Sequence, residues 1–449
     1  MEKNVGETFS PTLKIVTLRL IFAIGAVLGF VFRQMDVCNA FLNADLPRNK
    51  QIYMQCPKGW ERKGKILKLN KALYGLKGSP RAFYQHLCAY IISLGLERNE
   101  LDYCLFTLFR GALADKRLVL VIGVHVDDLL IVGTQSTVDW FVDKMNAEFL
   151  MEDLGQPTRI VGIDIEWQHD YVKLHQATYV QKVLTKFNML DSNPKATPME
   201  TKLKLTSELE FDHDKVADFP YRSLVACMLF LSICTRFDIS FTVKELSRFL
   251  NKPGSAMVAA AKRCARYLKG TPDFGLHYWK SWHSNSTVEI SVYNPIHAYT
   301  DADWAGQVDT RKSTASYVLL FNGTGVSWSS KTLKTIALSS QDAEYMALSD
   351  GSREVIFVRN VLSMTGFVMS EPTSLHGDNN GSLAVSRNPA AHQKTKHIAV
   401  RYHFIRQTIE DGRIQVVKVC TTEQLADVLT KALATLQHKW LSDQISGKC

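Results

Sequence analysis

The sequence predicts a multidomain chain of the α+β and α/β classes, and three observations carry that expectation. Its 449 residues allow about two to four domains. Its 46% hydrophobic and 22% charged residues are values of a globular protein, not of a disordered or fibrous one. Along the chain, β-branched runs alternate with runs of helical period. Two stretches poor in large apolar side chains separate these runs: 189–218, which contains Pro194 and Pro198, and 280–294, rich in Ser and Asn. The expected organisation is therefore 1–190, a linker and helical connection over 191–294, a third domain over 295–437, and a tail over 438–449.

The elements follow in order. Leu20 to Phe32 is an apolar run of 13 residues between Arg19 and Arg33. It is too short for a membrane span of about 20 residues and lacks a cleavage site for a signal peptide, so it reads as a buried helix. Phe32 to Val37 has strand character, with Asp36 at its end. Val119 to Val132 is two apolar runs around Asp127-Asp128, the pattern of a β-hairpin. Tyr221 to Cys234 and the alanine-rich Ser255 to Leu268 read as helices, the latter with Lys262, Arg266 and Lys269 at helical spacing. The last domain reads strand, strand, strand, helix, strand, helix, strand, helix. The strands lie near His297–Thr300, Ser316–Phe321, Gly325–Ser329, Thr373–His376 and Arg413–Val419. Ser339-Ser340 supplies the cap of the long helix, and Asp342 and Glu344 its first turn.

Charge and cysteine usage narrow the function classes. The formal charge of +9, from 53 Lys+Arg against 44 Asp+Glu, suits a polyanionic partner without proving one. Nine cysteines with no Cys-x-x-Cys argue against a zinc ribbon and a disulfide framework, and for a reducing compartment. The sequons at Asn285, Asn322 and Asn380 are then chance matches.

Two sets of carboxylates carry the chemistry. Strands disfavour Asp, so Asp127-Asp128 between apolar strands calls for a reason; the two charges repel unless a cation neutralises them. Magnesium takes one or two carboxylates plus substrate phosphates. Asp36 at the end of another strand would complete a site for two ions about 3.5–4 Å apart, the arrangement for in-line phosphoryl transfer. An ordinary Asp-containing turn is the plain alternative. The second set is Asp301 near a strand end, Glu344 on the long helix, Asp378 after the next strand, and Asp427 in a helical pattern expected to belong to the final helix. Each taken singly reads equally well as a helix-start or turn residue. Together they converge if their strands are central neighbours.

At these residues a family becomes visible. The run Gln34 to Asn43, QMDVCNAFLN, resembles the first catalytic motif of copia-type LTR retrotransposon reverse transcriptases. Lys68 to Arg81, KLNKALYGLKGSPR, resembles that family's next motif, and His125 to Asp128, HVDD, its YVDD box. Further on, YTDADWAG from Tyr299, RKST from Arg311, DAEYMAL from Asp342, GDNN from Gly377, KHIAVRYHF from Lys396 and QLADVLTK from Gln424 resemble the RNase H domain of the same family. The stretches Gly162 to Lys186, YRSL from Tyr221, TRFD from Thr235 and RYLKGT from Arg266 are similar to its primer-holding region, thumb and connection.

The resemblance implies a right-hand polymerase palm, a helical thumb and connection, and an RNase H-like mixed-sheet domain. It implies Asp36, Asp127 and Asp128 as polymerase metal ligands, and Asp301, Glu344, Asp378 and Asp427 as RNase H ligands. Each site would hold two Mg²⁺, with Mn²⁺ a possible substitute. Phe41 matches the aromatic gate under the incoming sugar, and Lys77 and Arg81 fall near template and nucleotide. Arg236, Lys262, Arg263, Arg266 and Lys269 would line the phosphate track, and His397 or His403 would be structural or assist proton transfer. The implied partners are an RNA template, a DNA primer, their RNA–DNA hybrid, dNTP and other Pol or Gag products, with no membrane. The implied location is a cytoplasmic virus-like particle and the nucleus, not the secretory path.

The chain departs from the family in places. His125 stands for Tyr, Cys38 for Lys, and Phe237 interrupts Arg-Pro-Asp. Met1 falls just before the GETFSP stretch, so the expectation is truncated fingers and a weakened nucleotide clamp. The alternative function is a decayed or host-retained remnant that at most binds nucleic acid.

Overall fold

The computed structural model describes residues 8–46, 51–62, 64–111, 116–206, 219–280, 295–367, 369–387 and 396–448, with backbone alone at 387, 396–400 and 402. Residues 6–7, the segments 207–218 and 281–294 of the two expected breaks, and the side chain of His397 lie outside the described residues. The chain divides into two compact units. One comprises Met1–Ile21, Gly29–Pro157 and Met364–Gly366; the other comprises Phe22–Leu28, Thr158–Ser363 and Phe367–Cys449.

The first unit is built on strands β1 (Val31–Val37), β4 (Glu97–Arg98), β5 (Leu105–Arg110), β6 (Arg117–His125), β7 (Asp128–Gly133) and β8 (Met151–Gly155), in the antiparallel order β4-β5-β6-β7-β1-β8. A separate two-stranded ribbon pairs β2 (Tyr53–Gln55) with β3 (Ile66–Lys68). The apolar run after Arg19 forms the end of α1 (Ile15–Val27), buried from Thr17 to Ala26. Gly29, at φ +63°, turns the chain out of that helix, so Val31 and Phe32 open β1 instead of extending α1. The apolar runs around Asp127-Asp128 form the β6–β7 hairpin, with His125 opposite Asp128. Val126 at its tip sits at φ +62°, a left-handed conformation that a β-branched side chain adopts only under constraint. Helix α2 (Ser79–Ser93) packs on the 3-10 turn Ala40–Asn43, and α3 (Gln135–Glu148) lies across β1, β6 and β7.

The second unit opens with a four-stranded antiparallel sheet: β9 (Arg159–Ile160), β10 (Ile163–Trp167), β11 (Tyr171–His175) and β12 (Gly275–Trp279), ordered β12-β11-β10-β9. The register Tyr171↔Trp279 joins segments a hundred residues apart, which is why the compact unit starts at Thr158 and not at the expected 190. Helices α4 (Ala177–Lys186), α5 (Tyr221–Cys234), α6 (Ser240–Ser247) and α7 (Ser255–Gly270) share one core, with Val180, Leu224, Met228, Leu231, Leu246 and Cys264 buried in it.

The rest of this unit is a mixed sheet of β13 (Ile296–Asp303), β14 (Thr314–Phe321), β15 (Thr324–Thr332), β16 (Thr373–Gly377) and β17 (Ile414–Lys418), ordered β15-β14-β13-β16-β17. β13, β14 and β15 form an antiparallel meander; β16 runs parallel to β13, and β17 parallel to β16. Helix α8 (Ser340–Met364) is capped by Ser339, whose Oγ accepts the Asp342 N–H at 3.1 Å. It lies so close to the sheet that a Cβ on Gly351 would meet Thr300 Cγ2 at 2.5 Å. Two helices, α9 (Asn380–Arg387) and α10 (Lys396–Glu410), stand where one was expected between β16 and β17; α11 (Thr435–Ser446) closes the chain.

Candidate functional sites: two groups of carboxylates

Strand pairing builds the group in the second unit. β13 and β16 are parallel neighbours in the register Tyr299↔His376. Two residues further along each come Asp301, still in β13, and Asp378, just past the end of β16. Glu344 reaches them from α8. It lies just past the first turn, which holds only Asp342 as an acid, so the expected first-turn placement is off by one step. The three side chains offer ligand oxygens all within 4.8 Å of one another, and this is the one such group of three among the described residues. Asp301 and Glu344 are buried, and Asp378 is half-buried.

Asp427 approaches Asp301 from the far side. It sits not in the final helix but in a short 3-10 turn, Leu425–Leu429. Helical periodicity placed this segment in the final helix, but its backbone closes into a short 3-10 turn that side-chain bonds fasten to the sheet. Gln424 Nε2 donates to Thr300 O at 2.9 Å, Ser316 Oγ to Ala426 O at 3.1 Å, and the Thr430 hydroxyl to the Asp301 carboxylate. Lys431 Nζ lies 2.8 Å from Asp427 and 3.8 Å from Asp301.

Burial raises the Glu344 carboxyl to about 9, with the charges of Asp301 and Asp378 adding to it. Burial raises Asp427 to about 7, and Asp301 adds to that against the opposing Lys431. Without a cation Glu344 therefore keeps its proton at neutral pH; a divalent ion held by the group would have to displace it. The donor set is all carboxylate, which suits a hard cation such as Mg²⁺ or Mn²⁺.

In the first unit the acids line up across three strands. Asp36 of β1 stands opposite Asp128 of β7, and on its other side opposite Glu152 of β8. Asp127 occupies the hairpin tip, its carbonyl accepting the Val37 N–H at 3.1 Å. Like charges directly opposite are unfavourable in a sheet. Burial raises Asp36 to about 6, followed in effect by Asp127, Asp128 and Glu152. Burial also raises Asp128, against a 3.1 Å hydrogen bond from Gln34 Nε2. This set is more open than the other and does not close into a group within 4.8 Å. Glu152 and Gln34 escaped the sequence reading. The signal for Glu152 was an acid inside the short strand Met151–Gly155, which only sheet order brings to Asp36. His125 Nδ1, where the resemblance leads one to expect Tyr, is buried with no hydrogen-bond partner.

The remaining candidates fall as follows. Phe41, in the Ala40–Asn43 turn, is half-buried against Tyr74 (ring centroids 4.5 Å) and Phe83 (6.2 Å). Lys77 is exposed in the loop before α2. Arg81, in the first turn of α2, donates to Phe9 O at 3.0 Å. His403 is exposed on α10.

Arg236 requires a correction. It is 0% exposed, pairs with Asp238 at 2.8 Å, and donates to Thr271 O and Oγ1 at 2.8 and 2.7 Å. No phosphate track reaches it; a guanidinium at the end of an apolar helix is buried here with its own counter-ion. The basic residues of α7 are half-buried, and several are used internally. Lys269 Nζ donates to Ser192 O at 2.7 Å, and Arg263 to Glu200 and Thr197 at 2.8 and 3.0 Å. Lys262 Nζ lies 4.6 Å from the Phe219 ring, and Arg266 is half-buried beside them.

Comparison with known proteins gives four results. Residues 2–201 match the family described as reverse transcriptase (RNA-dependent DNA polymerase). The chain is 35% identical over 447 residues to the retrovirus-related Pol polyprotein from transposon RE2 of Arabidopsis thaliana; the match covers 98% of this chain but 29% of that one. It is 30% identical over 327 residues to a putative transposon Ty5-1 protein of Saccharomyces cerevisiae, covering 72% of this chain and all of that one. A foamy viral protease-reverse transcriptase solved with double-stranded DNA is a distant structural likeness: TM-score 0.46, 11% identity, 87% of this chain and 57% of that one.

Proposed function

The chain belongs to the Pol polyprotein family of copia-type LTR retrotransposons, and we propose that it carries two phosphoryl-transfer sites: an RNA-directed DNA polymerase site at Asp36, Asp127 and Asp128, and a ribonuclease H site at Asp301, Glu344, Asp378 and Asp427. The observation that carries this reading is the convergence of Asp301, Glu344 and Asp378 to within 4.8 Å from two strands and a helix. Substrates of the first site would be a primer, an RNA template and dNTP; of the second, the RNA strand of an RNA–DNA hybrid.

Asp301, Glu344, Asp378 and Asp427 would hold the ions of the nuclease site, and Asp36, Asp127 and Asp128 those of the polymerase site. Two bound Mg²⁺ would supply an acidified attacking water or hydroxyl and charge stabilisation at phosphorus. The chain's own part is preorganisation. Strand pairing fixes the spacing of Asp301 and Asp378, and the Thr430 hydroxyl holds the Asp301 carboxylate in place. Glu344 holds a carboxyl proton at neutral pH, which a bound cation would displace. In the first unit Gln34 Nε2 donates to Asp128 and so orients it.

The test uses a labelled RNA–DNA hybrid with Mg²⁺ or Mn²⁺. Cleavage is expected, and it is expected to vanish in Asp301→Asn; binding without cleavage by the unaltered chain would support a decayed remnant instead. Primer extension, with Asp127→Asn as control, tests the first site separately. One observation favours a narrower second reading, in which only the nuclease site is active: the Asp36 set is the more open, and His125 replaces the family's tyrosine beside it.

A further inference from the structure

The two cation positions expected of the nuclease site are not equivalent in this fold. Asp301, Glu344 and Asp378 already form a group with ligand atoms within 4.8 Å, and Asp427 is not part of it. The oxygens that a second ion would use belong to Asp427 and Asp301, whose side chains are 2% and 5% exposed. Two carboxylates so far from water require a counter-charge. Lys431 provides it, with Nζ at 2.8 Å from Asp427 Oδ1 and 3.8 Å from Asp301 Oδ2.

The backbone that carries Lys431 is fixed. The Lys431 and Thr430 N–H groups both donate to Asp427 O, at 3.2 and 3.1 Å. The turn beneath is fastened to β13 and β14 through Gln424, Ser316 and Thr430. The Lys431 side chain, by contrast, is 41% exposed, so the ammonium can swing into solvent on its flexible four-carbon chain without disturbing the turn.

An ammonium 2.8 Å from Asp427 Oδ1 and a magnesium ion about 2.0–2.1 Å from the same oxygen would be two like charges crowded on one carboxylate, so each disfavours the other. Resting on the reading of this group as a divalent-ion site, we infer that Lys431 is the resident cation of the second position. It is a positioning residue that holds Asp301 and Asp427 together in the metal-free chain. It sets the affinity of the second ion by competing with it, so the ions load in order, first at Asp301–Glu344–Asp378 and then at Asp427.

The test is Mn²⁺ binding to the full chain at one fixed pH, followed by the electron paramagnetic resonance of free Mn²⁺. Asp36→Asn and Asp127→Asn are present throughout to silence the first unit. One tight and one weak event are expected with Lys431 intact. Lys431→Met and Lys431→Gln should tighten the weak event by about tenfold and shift the tight one by clearly less, since each removes a charge of like sign that contacts Asp427 and stands farther from Asp301. Lys431→Arg, which keeps the charge, should stay near the original. Gln retains a hydrogen-bond donor for Asp427, so it keeps the comparison available if Met impairs folding. An unchanged or weakened second event in both neutral variants, with the first event intact, overturns the inference alone. Absence of any Mn²⁺ event sensitive to Asp301→Asn overturns the metal-site reading, and the inference with it.

Discussion

The two acidic groups are assembled by different architecture. In the second unit, two acids leave adjacent parallel strands while a helix delivers the third, so the group is deep and tight. In the first unit, the acids sit on neighbouring antiparallel strands and a hairpin tip, so the group is shallower. Desolvation follows depth: Glu344 is raised to about 9, Asp36 to about 6. A crossover between parallel strands can bury carboxylates among packed layers, whereas a hairpin tip keeps them near water.

The comparison can be broken most forcefully by Asp301→Asn. It should lower hybrid cleavage by at least about 10³-fold, since several kcal/mol of charge stabilisation are lost, and leave primer extension within about twofold. Parallel loss of both activities would show that the groups are not independent.

Arg236→Ala comes next. It strands the fully buried Asp238, so the expected cost is about 3–5 kcal/mol of stability, measured by denaturant unfolding. Hybrid affinity measured under native conditions should not change. A variant with normal stability and weakened hybrid binding would restore Arg236 to the interface.

A pH effect should also separate the groups. Glu344 and Asp427 hold protons more tightly folded than unfolded, their folded values being about 9 and about 7 against ordinary values of 4.5 and 3.8. Their stabilising contribution is complete below the ordinary values and is lost as pH rises through the folded ones. The metal-free melting temperature should therefore fall between about pH 5 and 9, and the rise produced by Mg²⁺ should grow over the same span. Glu344→Gln should flatten both trends. For Asp36 the corresponding window ends near 6.

The smallest expected effect is that of Glu152→Gln, which removes one of the like charges beside Asp36. Carboxyl-carbon NMR should find the Asp36 pKa moved downward. No movement would remove Glu152 from the electrostatics of that strand row.

Much of the framework was legible before any coordinates. Tyr221–Cys234 reads as a helix to the residue because its apolar run is bounded on both sides. The three-strand meander and the later strands are found near their predicted positions because β-branched stretches bounded by polar turns have few other ways to bury themselves. The misreadings share one cause. Asp427 carries a helical pattern but obeys side-chain bonds from Gln424, Ser316 and Thr430; Arg236 looks like a surface cation but finds Asp238 and Thr271 inside the core.

Local pattern therefore determined most of the elements, since these follow from periodicity and residue type, while resemblance of short motifs to a known family pointed to the family and to the acids on which chemistry would depend. Tertiary structure alone decided which acids meet, how far burial raises them, that Glu152 stands beside Asp36, and that Lys431 lies over Asp427. Those outcomes depend on contacts between residues far apart in the chain and on the exclusion of water, neither of which a linear pattern encodes.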